Sequence, residues 1–299
     1  MARLTYTNER GQSLTFGDVA PFLVTKIDGL GSPSNEIYRQ KSPYQDGTTV
    51  THSSLNEREL VLEGVILSNA RDRERYRRIL VQVFNPKVKG VLTFERDSTK
   101  KRIECVPELA PAFPSNMQEN YQQFLITLLC PNPFWQDVER TKAEIAIWRG
   151  ALEFPLELAE EGIEVGFREP SLIVNIFNPG DVPCGMEIRF KALATVMNPS
   201  LFNVNTREYI KLNKTMTAGE VIVVTTHFGN KRVESHLNGV VTNAFNWLDL
   251  DSVFLQLDPG DNLLRYDAEE GLDNLEVDIY YTPQYLGVLG WNYTYLIGN

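Results

Sequence analysis

The stretch Cys130-Pro131-Asn132-Pro133-Phe134-Trp135 constrains the fold of this chain more than any other. It follows an apolar, strand-like run from Tyr121 to Leu129. Proline lacks a backbone N–H and fixes φ, so two prolines in three residues cannot continue a sheet ladder. The sheet must end here, and the bulky Phe134 and Trp135 then need a surface to pack on. The segment reads as a hard stop between two folded units, with an aromatic plug at the joint. It divides 299 residues into halves of similar size, which suits about two domains of roughly 100–200 residues each. The expected organisation is a first domain over 1–137, a linker over 138–150 and a second domain over 151–299.

The first half reads as strands with one helix. Phe22–Ile27 is a strand closed by Asp28-Gly29, and the turn cluster Gly31-Ser32-Pro33-Ser34-Asn35 opens a long polar loop over 31–47. Thr48–Thr51 and Glu59–Ile66 are the next strands. A helix is expected from Ala70 to Phe84, capped by Ser68 or Asn69, because Tyr76, Ile79, Leu80, Val83 and Phe84 recur at helical spacing. Arg71, Arg73, Arg75, Arg77 and Arg78, interspersed with acids, mostly fill its other face. A solvated face accounts for such a pattern. A subunit contact through Arg73 and Arg77 is the alternative, since arginine is enriched at interfaces. Asn85-Pro86 stops the helix. Strands resume at Gly90–Arg96, Lys101–Val106 and Tyr121–Leu129.

The second half is almost entirely β. Alternation in Leu172/Val174/Ile176, Met186/Ile188/Phe190 and Leu275/Val277/Ile279/Tyr281 marks sheets buried on one face. Val221–Val224 and Val253–Leu257 are denser and read as inner strands. Frequent turn signals, such as Asn178-Pro179-Gly180-Asp181 and Pro259-Gly260-Asp261-Asn262, point to a sandwich or jelly roll. A short helical turn near Leu156–Glu161 is the one exception expected. The fold class is therefore mainly β, with one helix in the N-terminal domain and a β-sandwich at the C-terminal end.

Little in the chain carries chemistry. A formal charge of −10 disfavours nonspecific attraction to nucleic acid phosphates. The longest apolar run, Phe124–Cys130, is far below the ~20 residues of a membrane helix. The first ten residues lack the apolar core of a secretory signal, so synthesis in a cytoplasm is expected. Cys105, Cys130 and Cys184 lie in or beside apolar strands and read as small buried residues rather than a disulfide framework. His52, His227 and His236 lack metal-ligand spacing, although His227 and His236 could meet across a hairpin at Gly229-Asn230. Neither a GxSxG, a P-loop nor a dinucleotide GxGxxG occurs. No catalytic, cofactor or metal residue is assigned. A glycosidase pair would have to come from Glu157, Glu160, Glu161, Glu164, Asp267, Glu269, Glu270 or Asp273, all in polar turns. A sugar-stacking platform could draw on Trp247, Tyr285, Trp291, Tyr293 and Tyr295. The closing stretch Tyr285–Leu296 interleaves aromatics with glycine and asparagine as if to be covered by its own domain or a neighbour. Candidate interface or joint residues are Phe134, Trp135, Arg73, Arg77, Trp291 and Tyr293.

Four segments in order carry a resemblance. They are Ser42-Pro43-Tyr44-Gln45-Asp46-Gly47, the Cys130–Trp135 stop, Asn178-Pro179-Gly180-Asp181-Val182-Pro183, and Leu257-Asp258-Pro259-Gly260-Asp261-Asn262 followed by Tyr285-Leu286-Gly287-Val288. With them the chain resembles the distal tail proteins of long-tailed phages and related prophage tail devices. The resemblance implies a ring-forming N-terminal domain, a galectin-like C-terminal sandwich and a homohexamer at the virion tail tip. It implies no catalytic residues and no cofactor. The partners it implies are the tail tube protein, the tape-measure protein and a tail-tip protein: a tail-associated lysin or a receptor-binding protein. DNA would pass through such a ring without specific binding, and acidic walls would keep phosphates from sticking. The alternative is a carbohydrate-binding module for host-surface adhesion.

Overall fold

The computed structural model describes residues 2–17, 20–114, 121–144, 147–150, 166–169 and 173–288. The chain forms two compact units. The first comprises residues up to Val138 together with the stretch from Tyr285, and the second spans Glu139–Gln284.

In the first unit the strands are β1 (Ala2–Asn8), β2 (Ser13–Phe16), β3 (Phe22–Asp28), β4 (Asn35–Gln40), β5 (Thr49–Leu55) and β6 (Arg58–Leu67). Helix α1 (Ala70–Val83) follows, then β7 (Gly90–Arg96), β8 (Thr99–Pro107), β9 (Tyr121–Cys130) and the short β10 (Trp135–Asp137). Seven strands lie in the order β2-β1-β7-β8-β9-β6-β3. The two end strands meet through a parallel bridge between Gly17 and Leu23, so the sheet curls round on itself. Period-two burial drives this: β9 alternates half-buried and buried along its whole length. Helix α1 begins where the Asn69 side chain accepts the Asp72 N–H at 3.0 Å. Its apolar stripe packs Leu80, Val83 and Phe84 into the core, where Phe84 stacks on Tyr6 with centroids 4.3 Å apart. Asn8 donates to the Val83 carbonyl at 3.0 Å, tying β1 to the helix end.

The second unit contains β11 (Thr141–Glu144), the antiparallel pair β12 (Ile147–Gly150) and β13 (Gly166–Glu169), β14 (Ile173–Asn178), β15 (Met186–Ala192), β16 (Val196–Met197), β17 (Ser200–Asn203) and β18 (Tyr209–Lys211). It continues with β19 (Thr215–Met216), β20 (Val221–His227), β21 (Asn230–Leu237), β22 (Val240–Asn243), β23 (Gly260–Asp267) and β24 (Leu275–Tyr281). A six-stranded sheet, β11-β24-β15-β20-β21-β22, and a four-stranded sheet, β14-β23-β17-β18, make the sandwich. Ile188, Phe190, Ile222, Val224, Val277 and Ile279 from the first sheet share one core with Ile176, Leu201, Ile210, Leu264 and Tyr266 from the second.

Several expectations are corrected. The polar loop over 31–47 contains β4, which pairs with β5. Val253–Leu257 is not a strand: only Leu257 is bridged, to Cys184, while Leu255 and Leu257 are buried. The linker over 138–150 carries β11, which pairs with β24 in the second unit, and the stretch from Tyr285 belongs to the first unit. The turn expected near Leu156–Glu161 lies outside the described residues.

Candidate functional site

The Pro-Asn-Pro stop is held by a residue that sequence reasoning missed. Arg58 opens β6 and is 2% exposed. Its Nε donates to the Pro133 carbonyl at 2.7 Å, Nη1 to the carbonyls of Gly29 at 2.5 Å and Gly31, and Nη2 to Leu286 at 2.6 Å. One guanidinium thus fastens three separate loops of the first unit. Burial lowers its pKa below the ordinary guanidinium value, with the facing Cys130 acting in the opposite direction. Four carbonyl dipoles replace the water that the charge has lost. Beside this bolt, Trp135 is fully buried and meets Phe94 edge-on at 6.3 Å. Phe134 is half-buried, and its N–H bonds the Asn132 side chain at 3.2 Å. Trp135 is therefore core of the first unit. Tyr285 sits under the Lys101 ammonium, 3.3 Å from its ring centroid, and donates to Asp137 at 3.1 Å.

Arg73 is buried, whereas Arg77 lies over the Phe113 ring at 4.7 Å and pairs with Glu74 at 3.5 Å. Both contacts of Arg77 lie within its own unit. Trp291 and Tyr293, with Tyr295, are outside the described residues.

Among the described residues of the first unit, the most exposed element is the β4–β5 hairpin. It is a two-stranded sheet on its own, and every residue of β4 is exposed. Ile37, Tyr38 and Val50 show 44%, 47% and 59% of their surface. At its tip Tyr44 is fully exposed with φ of +64°, an uncommon left-handed backbone for a bulky residue. Such a hairpin is at best marginally stable alone in water.

On the second unit, the outer face of the six-stranded sheet is a field of alternating charge. Register sets Glu187 beside Tyr280, Arg189 beside Asp278 and Lys191 beside Glu276 on β15 and β24. Arg189 and Arg140 bind Glu187 at 2.6 and 3.1 Å, and Lys191 binds Glu276 at 2.8 Å. Glu187, Arg189, Thr225, Arg232, Glu234 and His236 line a shallow hollow of about 420 Å³. Burial raises the Glu187 pKa, but hydrogen bonds and charge from Arg189 and Arg140 outweigh it and hold the carboxyl below its ordinary value. Burial, reinforced by Arg140, lowers His227. His227 and His236 do not meet: the register sets His227 against Asn230 and His236 against Val221, at opposite ends of the hairpin.

Several described candidates for the two alternative chemistries have partners of their own. Trp247 lies under Lys214, 4.6 Å from its ring centroid. The aromatic on the charged face, Tyr280, is covered by Arg189 at 4.6 Å. Glu269 is tied to Lys211 and Asn198, both at 2.7 Å, and its pKa is lowered chiefly by Lys211; a general acid needs the opposite shift. Glu157, Glu160, Glu161 and Glu164 lie outside the described residues. Among the described residues, no cluster of three or more His, Cys, Asp or Glu is placed to hold a metal.

Comparison with known proteins follows the two units. A family model described as a phage tail protein RIFT-related domain matches residues 9–130, and one for the C-terminal domain of a siphovirus-type tail component matches 179–285. No curated protein sequence matches the chain. The crystal structure of the Dit protein of phage SPP1 is similar over 94% of this chain and 98% of that one, with a TM-score of 0.69 at 16% identity. A chain of the phage P2 baseplate in its Ca-activated conformation covers 95% of this chain with a TM-score of 0.50 at 9% identity; 98% of that chain is covered. The two family models, in chain order over most of the sequence, and the end-to-end likeness to the SPP1 protein agree: the chain belongs to the distal tail protein family of siphophage tails.

Proposed function

We propose that this protein is a hub of the tail tip, where six copies close into a ring between the tail tube and the proteins that recognise and penetrate the host. The observation that carries the reading is the β4–β5 hairpin. Its apolar side chains are exposed, its two strands pair only with each other among the described residues, and its own core does not support it. An arm of this kind gains stability when a second copy covers it. The hexameric count comes from the family resemblance, as do the tube, tape-measure and tip partners. The SPP1 relative is itself described as a hub of an adsorption apparatus. The −10 charge suits a ring whose lumen passes DNA without holding it.

Light scattering and electron microscopy test the reading. The expected species is a closed ring near six times 34.0 kDa, alone or with co-expressed tail tube and tip proteins. A monomer under both conditions, or a ring with a basic lumen, overturns it.

A further inference from the structure

Two of the three cysteines face each other across neighbouring strands. The β8–β9 register pairs Val106 with Leu129 and Pro107 with Leu128, so one step back Cys105 stands opposite Cys130. The Glu108 N–H bonds the directly opposed Thr127 carbonyl at 3.0 Å, which makes that pair a hydrogen-bonded one. Antiparallel pairs alternate, so 106/129 is also hydrogen-bonded and 105/130 falls at a narrow, non-hydrogen-bonded position. Opposed Cα atoms there lie about 4.5 Å apart, inside the roughly 4.4–6.8 Å span of a disulfide. Both side chains are buried, at 1% and 0% exposure. A thiol–thiol hydrogen bond from Cys105 to Cys130, then burial, pushes the Cys105 pKa up. On the other side of Cys130 the register places Arg58, whose guanidinium is bound to carbonyl oxygens. Cys184 has no such setting: it lies in the other unit, and burial alone raises its pKa to about 12.

We propose that Cys105 and Cys130 are a redox modification site, a dithiol that a peroxide-class oxidant converts into a cross-strand disulfide. The Cys130 thiolate attacks one peroxide oxygen, the O–O bond breaks, and the sulfur carries a sulfenic acid while hydroxide leaves and is protonated to water. Cys105 then attacks that sulfur. The S–S bond forms, the S–O bond breaks, and the Cys105 proton leaves with the departing hydroxide as water. Two thiols and one hydrogen peroxide give one disulfide and two waters, with two electrons passing from sulfur to oxygen. Thiols stay reduced in a cytoplasm and oxidise outside it. The pair would therefore be open during synthesis and would lock β8 to β9 once a particle leaves the cell. The timing rests on the tail reading; the chemistry does not, so the two fail separately.

The test uses the full chain, purified with reductant, desalted, and treated with hydrogen peroxide. After denaturation in an alkylating agent, peptide mapping should find Cys105 linked to Cys130 and Cys184 alkylated. The linked fraction should rise about tenfold over protein kept in dithiothreitol, with an intact mass lower by two hydrogens. The thermal midpoint should rise, and dithiothreitol should reverse both changes. Cys184→Ser should behave like wild type, and Cys130→Ser should yield no linked peptide. If Cys130→Ser fails to fold, the wild-type map still decides. Oxygen addition without linkage, links between chains, preferential oxidation of Cys184, or no reaction of the folded chain would each overturn the proposal.

Discussion

Arg58 Nε donates to the carbonyl oxygen of Pro133 at 2.7 Å, across 75 residues of sequence. The same guanidinium holds Leu286 near the far end of the described chain. Arg58→Met keeps the volume of the stem but leaves the carbonyls of Gly29, Gly31, Pro133 and Leu286 without their donor. A buried acceptor left without a donor costs about 1–3 kcal/mol, and urea unfolding of the variant should read a loss of at least that order. Arg58→Lys should recover only part of it, because one ammonium cannot reproduce a planar fork. Hydrogen exchange at Val288, whose N–H bonds the Leu30 carbonyl at 3.0 Å, should accelerate in both variants. Unchanged exchange there would show that the tail is held by something else.

Gly64 is required by backbone proximity. A Cβ at this position would lie 2.3 Å from the Leu23 carbonyl oxygen and 2.4 Å from the Phe124 ring. It sits where β3 and β6 pair beside a register shift at Val24 and Lys26. Gly64→Ala must push the strands apart, and overpacking of this kind costs about 1–3 kcal/mol. Gly47→Ala, in the open hairpin loop, meets nothing within 4 Å but has φ of +78°, so it should cost less. Chemical denaturation of the two variants checks the order.

Two groups in the second unit give separable pH responses. The folded pKa of His227 is depressed below 6.5, first by burial and then by Arg140. Between that folded value and 6.5 the unfolded chain binds a proton that the fold refuses, so stability falls as pH drops through 6.5. Glu187 is also depressed, against its own burial, by Arg189 and Arg140. Its contribution is present above the unfolded value of 4.5 and is lost as pH falls through the folded one. His227→Asn should flatten the stability profile near pH 6.5, and Glu187→Gln should flatten it only below 4.5. Urea midpoints measured across this range distinguish the two; identical profiles for both variants would contradict the assignment.

Much of this fold was legible because burial leaves a period. The stripe Tyr76/Ile79/Leu80/Val83/Phe84 located α1, and alternation located β9, β15 and β24. Leu4/Tyr6 and Leu14/Phe16 carry the same period and are buried, yet polar neighbours hid β1 and β2. The hairpin strand β4 has no buried face, so no period exists to find. Val253–Leu257 shows the converse: apolar composition reports burial, not strand geometry, and Gln256 there bonds the Thr226 carbonyl at 2.8 Å. Arg58 was invisible for a different reason. Its partners are backbone carbonyls of residues 29, 31, 133 and 286, and carbonyls have no sequence signature.

If copies meet at the hairpin as proposed, substitutions there separate assembly from folding. Ile37 and Arg39 share one face of β4, and Val50 is paired with Arg39, so Ile37 and Val50 present one apolar patch. Both are exposed in the single chain, and surface substitutions away from special features usually change stability by less than about 0.5 kcal/mol each. The double variant Ile37→Asp, Val50→Asp should therefore unfold at nearly the wild-type denaturant concentration. A neighbouring copy covering the patch would have to bury two carboxylates without partners, which costs several kcal/mol in total. On the proposed reading, light scattering should find monomers of the double variant under conditions where the wild type is expected to close into rings, and Tyr44→Ala at the loop tip should be milder. A double variant that still closes rings would place the ring contact elsewhere on the first unit, whereas one that loses both stability and rings would make the hairpin part of the fold itself.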